Sequence, residues 1–359
     1  MEQQSILSFL TKSRAPQRSP RPQNSRSGHP YQDNSNSDSH KKNHSKGKKH
    51  YNSKYRGPNH RRNIDLAKVA DETKAVLPDI LADIPNFDAT KSSLTKLEDT
   101  DALSPTDCPG FKSKASIKVL DMDSFDAALQ LDPTYTVQKH LTSSPPTPQA
   151  PASTSVLVLN LASERSPGGG WQKGALAQEE CLCYRSSLSL SLPRSFYPLP
   201  TLSAIYTPNV VLFRNSMPNG HALFPTVQLQ DASSLPAVSV VSAAALRKPA
   251  LSDDKATFKH LGARAATKRK IRLVLRTAAR NGHSRLVLGA LGCGVFANPA
   301  EDVAKCFAEV FDEVEFQGGW WEEVVFAVLD NVSSASGEGG QTGNGNFGMF
   351  YRGLHGKVV

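Results

Sequence analysis

Two kinds of apolar pattern alternate along this chain. The first is a short, nearly unbroken run: Val156–Leu161, Ser203–Tyr206, Val210–Phe213, Val238–Ala244, Arg285–Ala290 and Val324–Leu329. Runs of this length suit strands buried on both faces, as in a parallel sheet covered on each side. Ser116–Leu120 reads as a shorter strand. The second pattern repeats at helical spacing. Ile64, Leu66, Ala67, Val69, Ala70, Val76 and Leu77 predict a helix that ends before Pro78, because proline lacks the donor a helix interior needs. Asp123–Leu131, Gln178–Leu188, Gly262–Asn281 and Pro299–Phe311 predict further helices, while 85–115 shows neither period and reads as loop. Strands alternating with helices predict an α/β fold: a mixed, mostly parallel sheet with helices on both faces. No internal repeat is visible.

Composition divides the chain further. Residues 1–62 hold 14 Lys/Arg against 3 Asp/Glu, and the rest of the chain 28 against 30, so the net charge of +9 belongs to the first segment. That segment is rich in Ser, Asn, Pro and His and has little to bury, which predicts a disordered basic arm. Residues 63–142 then read as a helical extension, 143–155 as a Pro/Ser-rich linker or loop, 156–330 as the core, and 331–359 as a Gly/Ser-rich C-terminal segment. The five cysteines (Cys108, Cys181, Cys183, Cys293, Cys306) show neither C-x-x-C pairs nor Cys/His ligand spacing, so no metal site and no disulfide framework is expected. No stretch has the length of a membrane span or the apolar centre of a signal peptide, and a soluble, intracellular protein is the expectation.

Candidate chemistry lies where such folds hold ligands, just past the carboxyl ends of strands. After the strand at 156–161 come Gly168, Gly169 and Gly170, where the absent Cβ lets backbone press against a ligand. After seven intervening residues Gln178, Glu179 and Glu180 open a helix and deliver a carboxylate pair. At average glycine content the triplet and Gln-Glu-Glu at one fixed spacing arise by chance in roughly one chain of this length in ten thousand, or fewer. The plain alternative is a flexible loop before an acidic first helical turn. A second glycine loop, Gly289 to Phe296, follows the strand residues 285–288 and can turn backbone N–H groups toward an anion; a tight strand-to-helix turn is the alternative. No Walker lysine follows it, which argues against an ATP-binding P-loop. Asn160 is polar within an apolar strand, and its amide needs partners: a ribose hydroxyl or a neighbouring loop.

The glycine triplet and Gln-Glu-Glu, with VLVLNLASERSPGGG, ALAQEECLCYRSSL, IYTPNVVLFRN, LVLGALGCGVFANPAEDVAKCF and VVFAVLD around them, resemble the microbial-type poly(ADP-ribose) glycohydrolases over about residues 63–330. The resemblance implies a macrodomain fold and hydrolysis of the ribose–ribose O-glycosidic bond, releasing ADP-ribose with no metal or cofactor. It implies that Glu180 is the catalytic acid, that Glu179 and Asn160 hold ribose hydroxyls, and that Gly168–Gly170 and Gln178 belong to the substrate site. It further implies that Gly292, Cys293, Gly294 and Val295 form a diphosphate loop, and that Phe296 covers the terminal ribose and restricts attack to chain ends. Leu161 and Trp171 stand where the family has phenylalanine, and Leu291 where an aromatic is usual. A mono-ADP-ribosyl-protein hydrolase and a non-catalytic ADP-ribose reader need the same loops and stay open as alternatives.

Two strings lie in the arm. Gln3, Ile6, Phe9 and Leu10 resemble the box that docks on the PCNA sliding clamp, although Leu10 stands where a second aromatic is usual. The basic run 41–62 suits contact with nucleic acid or poly(ADP-ribose), or nuclear import, and a solvated spacer is the alternative. Together they predict a nuclear protein with a possible cytoplasmic pool, acting in the DNA damage response.

Overall fold

The computed structural model describes residues 58–111, 114–143, 154–228, 230–332 and 338–359. The arm to residue 57, the clamp-like string and most of the linker at 143–155 lie outside these residues. The elements run α1 (Pro58–Ala82), β1 (Ser93–Lys96), β2 (Lys118–Leu120), α2 (Ser124–Leu131), α3 (Val137–Thr142), β3 (Leu157–Leu161), α4 (Gln178–Arg185), β4 (Ser203–Val211), β5 (Ala237–Ala243), α5 (Leu261–Arg280), β6 (Arg285–Leu288), α6 (Ala300–Phe311), β7 (Glu323–Ala327) and α7 (Asn346–Leu354), joined by turns.

The strands form one seven-stranded sheet in the order β1-β4-β5-β3-β6-β7-β2. Five of them, β5, β3, β6, β7 and β2, run parallel to their neighbours, and β4 and β1 are added antiparallel at one edge. This is the mixed, mostly parallel α/β sheet expected. β3 pairs on both sides, and its Leu157, Val158 and Leu159 are buried because apolar clusters cover each face of the sheet.

Four local expectations change. The N-terminal helix does not stop at Pro78 but continues to Ala82. Pro78 and Lys74, whose carbonyl loses its helical partner, both face solvent, and the buried Leu77 and Ile80 keep the helix on course. The segment 85–115 contains β1, an edge strand too short and too polar (SLTK) to show a period. The two runs at 203–206 and 210–213 are largely one strand, β4, with a register shift between Thr207 and Val210 where Pro208 interrupts the ladder. The glycine-rich C-terminal segment carries α7, whose Phe347, Phe350 and Leu354 are buried at helical spacing. α5 carries a dense set of arginines, and three of them face acids: Arg264 meets Asp302 and Glu309, Arg272 meets Glu313, and Arg276 meets Glu315. These pairs hold α5 against α6 and the turn after it.

Candidate active site

The site grows from the end of β3. Gln178, first residue of α4, is wedged against this strand: its Oε1 accepts the Leu161 N–H at 2.8 Å and its Nε2 donates to the Leu159 carbonyl at 2.8 Å and to Ser124 at 3.1 Å. Its amide is thus fully engaged within the protein, and Gln178 orients α4 rather than presenting a free group to the cleft. That anchoring sets the next two residues, Glu179 and Glu180, beside the glycine loop.

Glu179 is buried. Its Oε2 accepts the Ser163 N–H at 2.8 Å, and its Oε1 lies 3.4 Å from Asn160 Nδ2. Asn160 also donates to Ser242 on β5 at 2.9 Å, while its Oδ1 has no partner among the described residues. Burial pushes the Glu179 carboxyl up to about 8, and the neighbouring charge of Glu180 pushes the same way, against the Ser163 and Asn160 hydrogen bonds. Glu180 Oε1 accepts the Gly170 N–H at 2.9 Å. Gly169 explains why the triplet is glycine. Its φ is +60°, and a Cβ there would stand 2.3 Å from Glu180 Oε1 and 3.1 Å from Glu179 Oε2. The backbone therefore touches both carboxyls directly.

Behind the loop, the buried Tyr184 donates to the carbonyls of Trp171 (2.9 Å) and Ala175 (2.7 Å), locking the turn that follows the triplet. Thr73 of α1 donates to the Tyr184 carbonyl at 2.7 Å, and Glu72 of α1 pairs with the buried Arg214 at 2.8 Å. Arg185, at the end of α4, is held by Asp123 and Asp126 of the α2 start.

The second glycine loop sits one strand over, after β6. Gly292 has φ +79°, and a Cβ there would collide with Ala245 Cβ at 2.4 Å and Asn298 Nδ2 at 2.5 Å. The Asn298 amide reaches the carbonyls of Leu246 (2.6 Å), Gly292 (3.1 Å) and Phe296 (3.3 Å). The N–H groups of Gly294, Val295 and Phe296 meet no acceptor among the described residues. Such a run of free donors can receive an anion. Cys293 is half-buried, its thiol pushed well up by burial, and its carbonyl accepts from Asn346 of α7 at 3.3 Å. Val295 is exposed and Phe296 half-exposed.

Both glycine loops therefore stand at carboxyl ends of adjacent parallel strands, with the carboxylate pair at the first. Residues 82–215 match the family model for the microbial-type PARG catalytic domain. The chain carries a microbial-type PARG catalytic domain. Solved structures agree: poly(ADP-ribose) glycohydrolase from Thermomonospora curvata is 25% identical, with a TM-score of 0.59 over 81% of this chain and 99% of that one. The same enzyme bound to the inhibitor ADP-HPD gives a TM-score of 0.58 at 25% identity over 80% and 99%. Poly(ADP-ribose) glycohydrolase from Deinococcus radiodurans in complex with ADP-ribose is 28% identical, with a TM-score of 0.54 over 73% and 94%. No curated protein sequence matches significantly. The family places the chain among the glycoside hydrolases.

The candidate site also uses residues beyond those expected from the sequence. Ser163 and Ser242 fix Glu179 and Asn160, and Ser242 has the same sign as Asn160, a polar residue inside an apolar strand. Asn298 stitches the second loop. A third segment, Ala245–Lys248, follows β5 and packs against that loop, with Lys248 N–H donating to the Phe296 carbonyl at 2.8 Å. No residue pattern marks this last segment, because its role comes from β5 lying beside β3 in the sheet.

Proposed function

We propose that this protein is a poly(ADP-ribose) glycohydrolase that cleaves ribose–ribose O-glycosidic bonds from chain ends and releases ADP-ribose. The observation that carries the reading is the contact of Gly169 and Gly170 with two adjacent carboxyls, one deeply buried. A ribose lying on this glycine backbone meets Glu180, which protonates the leaving oxygen as the bond breaks. The ribose passes through an oxocarbenium-like state stabilised by the substrate's own phosphates, and water completes hydrolysis. Glu179, neutral at pH 7 because of its burial, holds a ribose hydroxyl and keeps a proton beside Glu180. Asn160 offers the free Oδ1 to the same sugar. The free N–H groups of Gly294–Phe296 take the diphosphate, as a nest takes any oxyanion.

The test is incubation of the full chain with polymer-modified and with mono-modified protein, following release of ADP-ribose. Release from the polymer, unaffected by a chelator, is the expected result. Release from the mono-modified protein alone would make the enzyme a mono-ADP-ribosyl hydrolase, and binding without release from either would make it a reader of ADP-ribose.

A further inference from the structure

We propose that Arg247 is the positioning residue that fixes the Phe296 ring over the cleft and so confines cleavage to chain ends. The proposal rests on the poly(ADP-ribose) reading above. Phe296 needs a holder. It follows the exposed Gly294 and Val295, precedes Ala297 at φ +53°, and its ring joins none of the apolar clusters among the described residues. Among the described residues hydrogen bonds reach its carbonyl only, from the Lys248 N–H at 2.8 Å and the Asn298 side-chain amide at 3.3 Å. A side chain on so open a loop is free to swing unless something grips the ring.

Arg247 supplies the grip. Its guanidinium carbon stands 5.2 Å from the centre of the Phe296 ring, within cation–π range. Its Nη1 reaches Glu164 Oε1 at 3.4 Å. Glu164 is a firm anchor: its carbonyl accepts the Leu199 N–H at 2.8 Å, and its side chain is largely covered although its Oε1 is shared with Arg165 at 3.3 Å. The result is a chain of contacts, Glu164 to Arg247 to Phe296, linking the segments that follow β3, β5 and β6, three neighbouring strands. Arginine suits this role because its planar head can stack on a ring and bond a carboxylate at once, which a lysine ammonium does poorly.

The test digests long poly(ADP-ribose) with the full chain and resolves early products by size for the wild type, Arg247→Met, Arg247→Lys, Phe296→Ala and the Arg247→Met/Phe296→Ala double variant. Methionine keeps the apolar stem and removes the charge, and melting midpoints within two or three degrees of wild type, on the usual scale for a surface change, confirm folding. We expect the wild type to give almost only ADP-ribose. Arg247→Met should raise the share of free oligomers about fivefold, the population shift expected for losing a contact of cation–π strength. Arg247→Lys should fall between the two, and the double variant should match Phe296→Ala alone. A wild-type product pattern from Arg247→Met, or effects that add in the double variant, would overturn the role of Arg247 while leaving the enzyme assignment intact. A wild type that releases no ADP-ribose from polymer would remove the assignment itself, and this proposal with it.

Discussion

Glu179 and Glu180 are neighbours in sequence with unlike surroundings. Both lie within 3.1 Å of the single point where a Gly169 Cβ would stand, yet Glu179 is the deeper and is tied to Ser163 and Asn160, while Glu180 is tied, among the described residues, to Gly170 alone. If Glu180 delivers the proton, Glu180→Gln should keep ADP-ribose binding in a titration but lower turnover by about 10²-fold or more, the usual scale for a lost general acid. A greater loss in Glu179→Gln than in Glu180→Gln would move the acid role inward. Glu179 has a second consequence, for stability. Its folded carboxyl titrates near 8 and the unfolded one near 4.5. Below pH 4.5 both forms are neutral and the group contributes nothing. Between 4.5 and 8 the unfolded chain releases a proton that the fold keeps, so rising pH favours unfolding, by at most about 5 kcal/mol above pH 8. Glu179→Gln should therefore melt higher than wild type, with a gain that is large at pH 8–9 and nearly absent at pH 5, measured by thermal denaturation. An equal gain at both pH values would show that the carboxyl is not held neutral. Gly169→Ala tests the close approach: its Cβ has no room beside Glu180, and activity should be lost even where the protein still folds.

At the scale of elements, α1 helps to support the candidate site. It buries Leu66, Ala70, Leu77 and Ile80, donates from Thr73 to the end of α4, and neutralises Arg214 through Glu72. A chain starting after residue 82 would expose this apolar stripe on two clusters and leave Arg214 buried without its acid, a combination that costs several kcal/mol. Such a truncation should be insoluble or molten, whereas Thr73→Val, which removes one hydrogen bond, should lower turnover only a few-fold with a modest drop in melting midpoint. How well α1 and its neighbours can be read in the sequence follows from what each signal encodes. Long periodic helices and fully buried strands announce themselves, because burial on one stripe or two faces dictates the residue pattern. β1 and α7 do not: β1 is an edge strand with half its residues in water, and α7 is set among glycines whose composition masks a stripe of Phe347, Phe350 and Leu354. The glycine triplet and Gln-Glu-Glu stand out since backbone proximity tolerates no other residue there. Gln178 was legible as important but not in its task, because the strand backbone it fastens leaves no mark on side-chain sequence. Arg247 and Asn298 act across β5, β3 and β6, a neighbourhood set by sheet order and not by spacing along the chain.

For the whole molecule, charge is segregated: +11 on residues 1–62 and −2 on the remainder. We propose that the amino-terminal segment brings a nearly neutral enzyme to the nucleus, with Gln3, Ile6, Phe9 and Leu10 docking on a sliding clamp and the basic run 41–62 favouring polyanions. Tethering of this kind raises local concentration without altering the site. Among the described residues, the contacts that build the site run from Thr73 to Asn346, and removing residues 1–57 should leave hydrolysis of free poly(ADP-ribose) in solution within about twofold of the full chain, well short of the tenfold that even a 1.4 kcal/mol loss would bring. Location should respond instead. A fluorescent fusion of the full chain is expected in the nucleus and the truncated one throughout the cell; a truncated protein that stays nuclear would reduce the arm to a spacer. The clamp string is separable from this. A peptide of residues 1–14 should bind PCNA in a calorimetric titration, more weakly than peptides with two aromatics because Leu10 fills the second aromatic place, and Phe9→Ala should abolish the heat. A silent titration with the unaltered peptide would end the clamp proposal while leaving import by the basic run to be judged on the fusion alone.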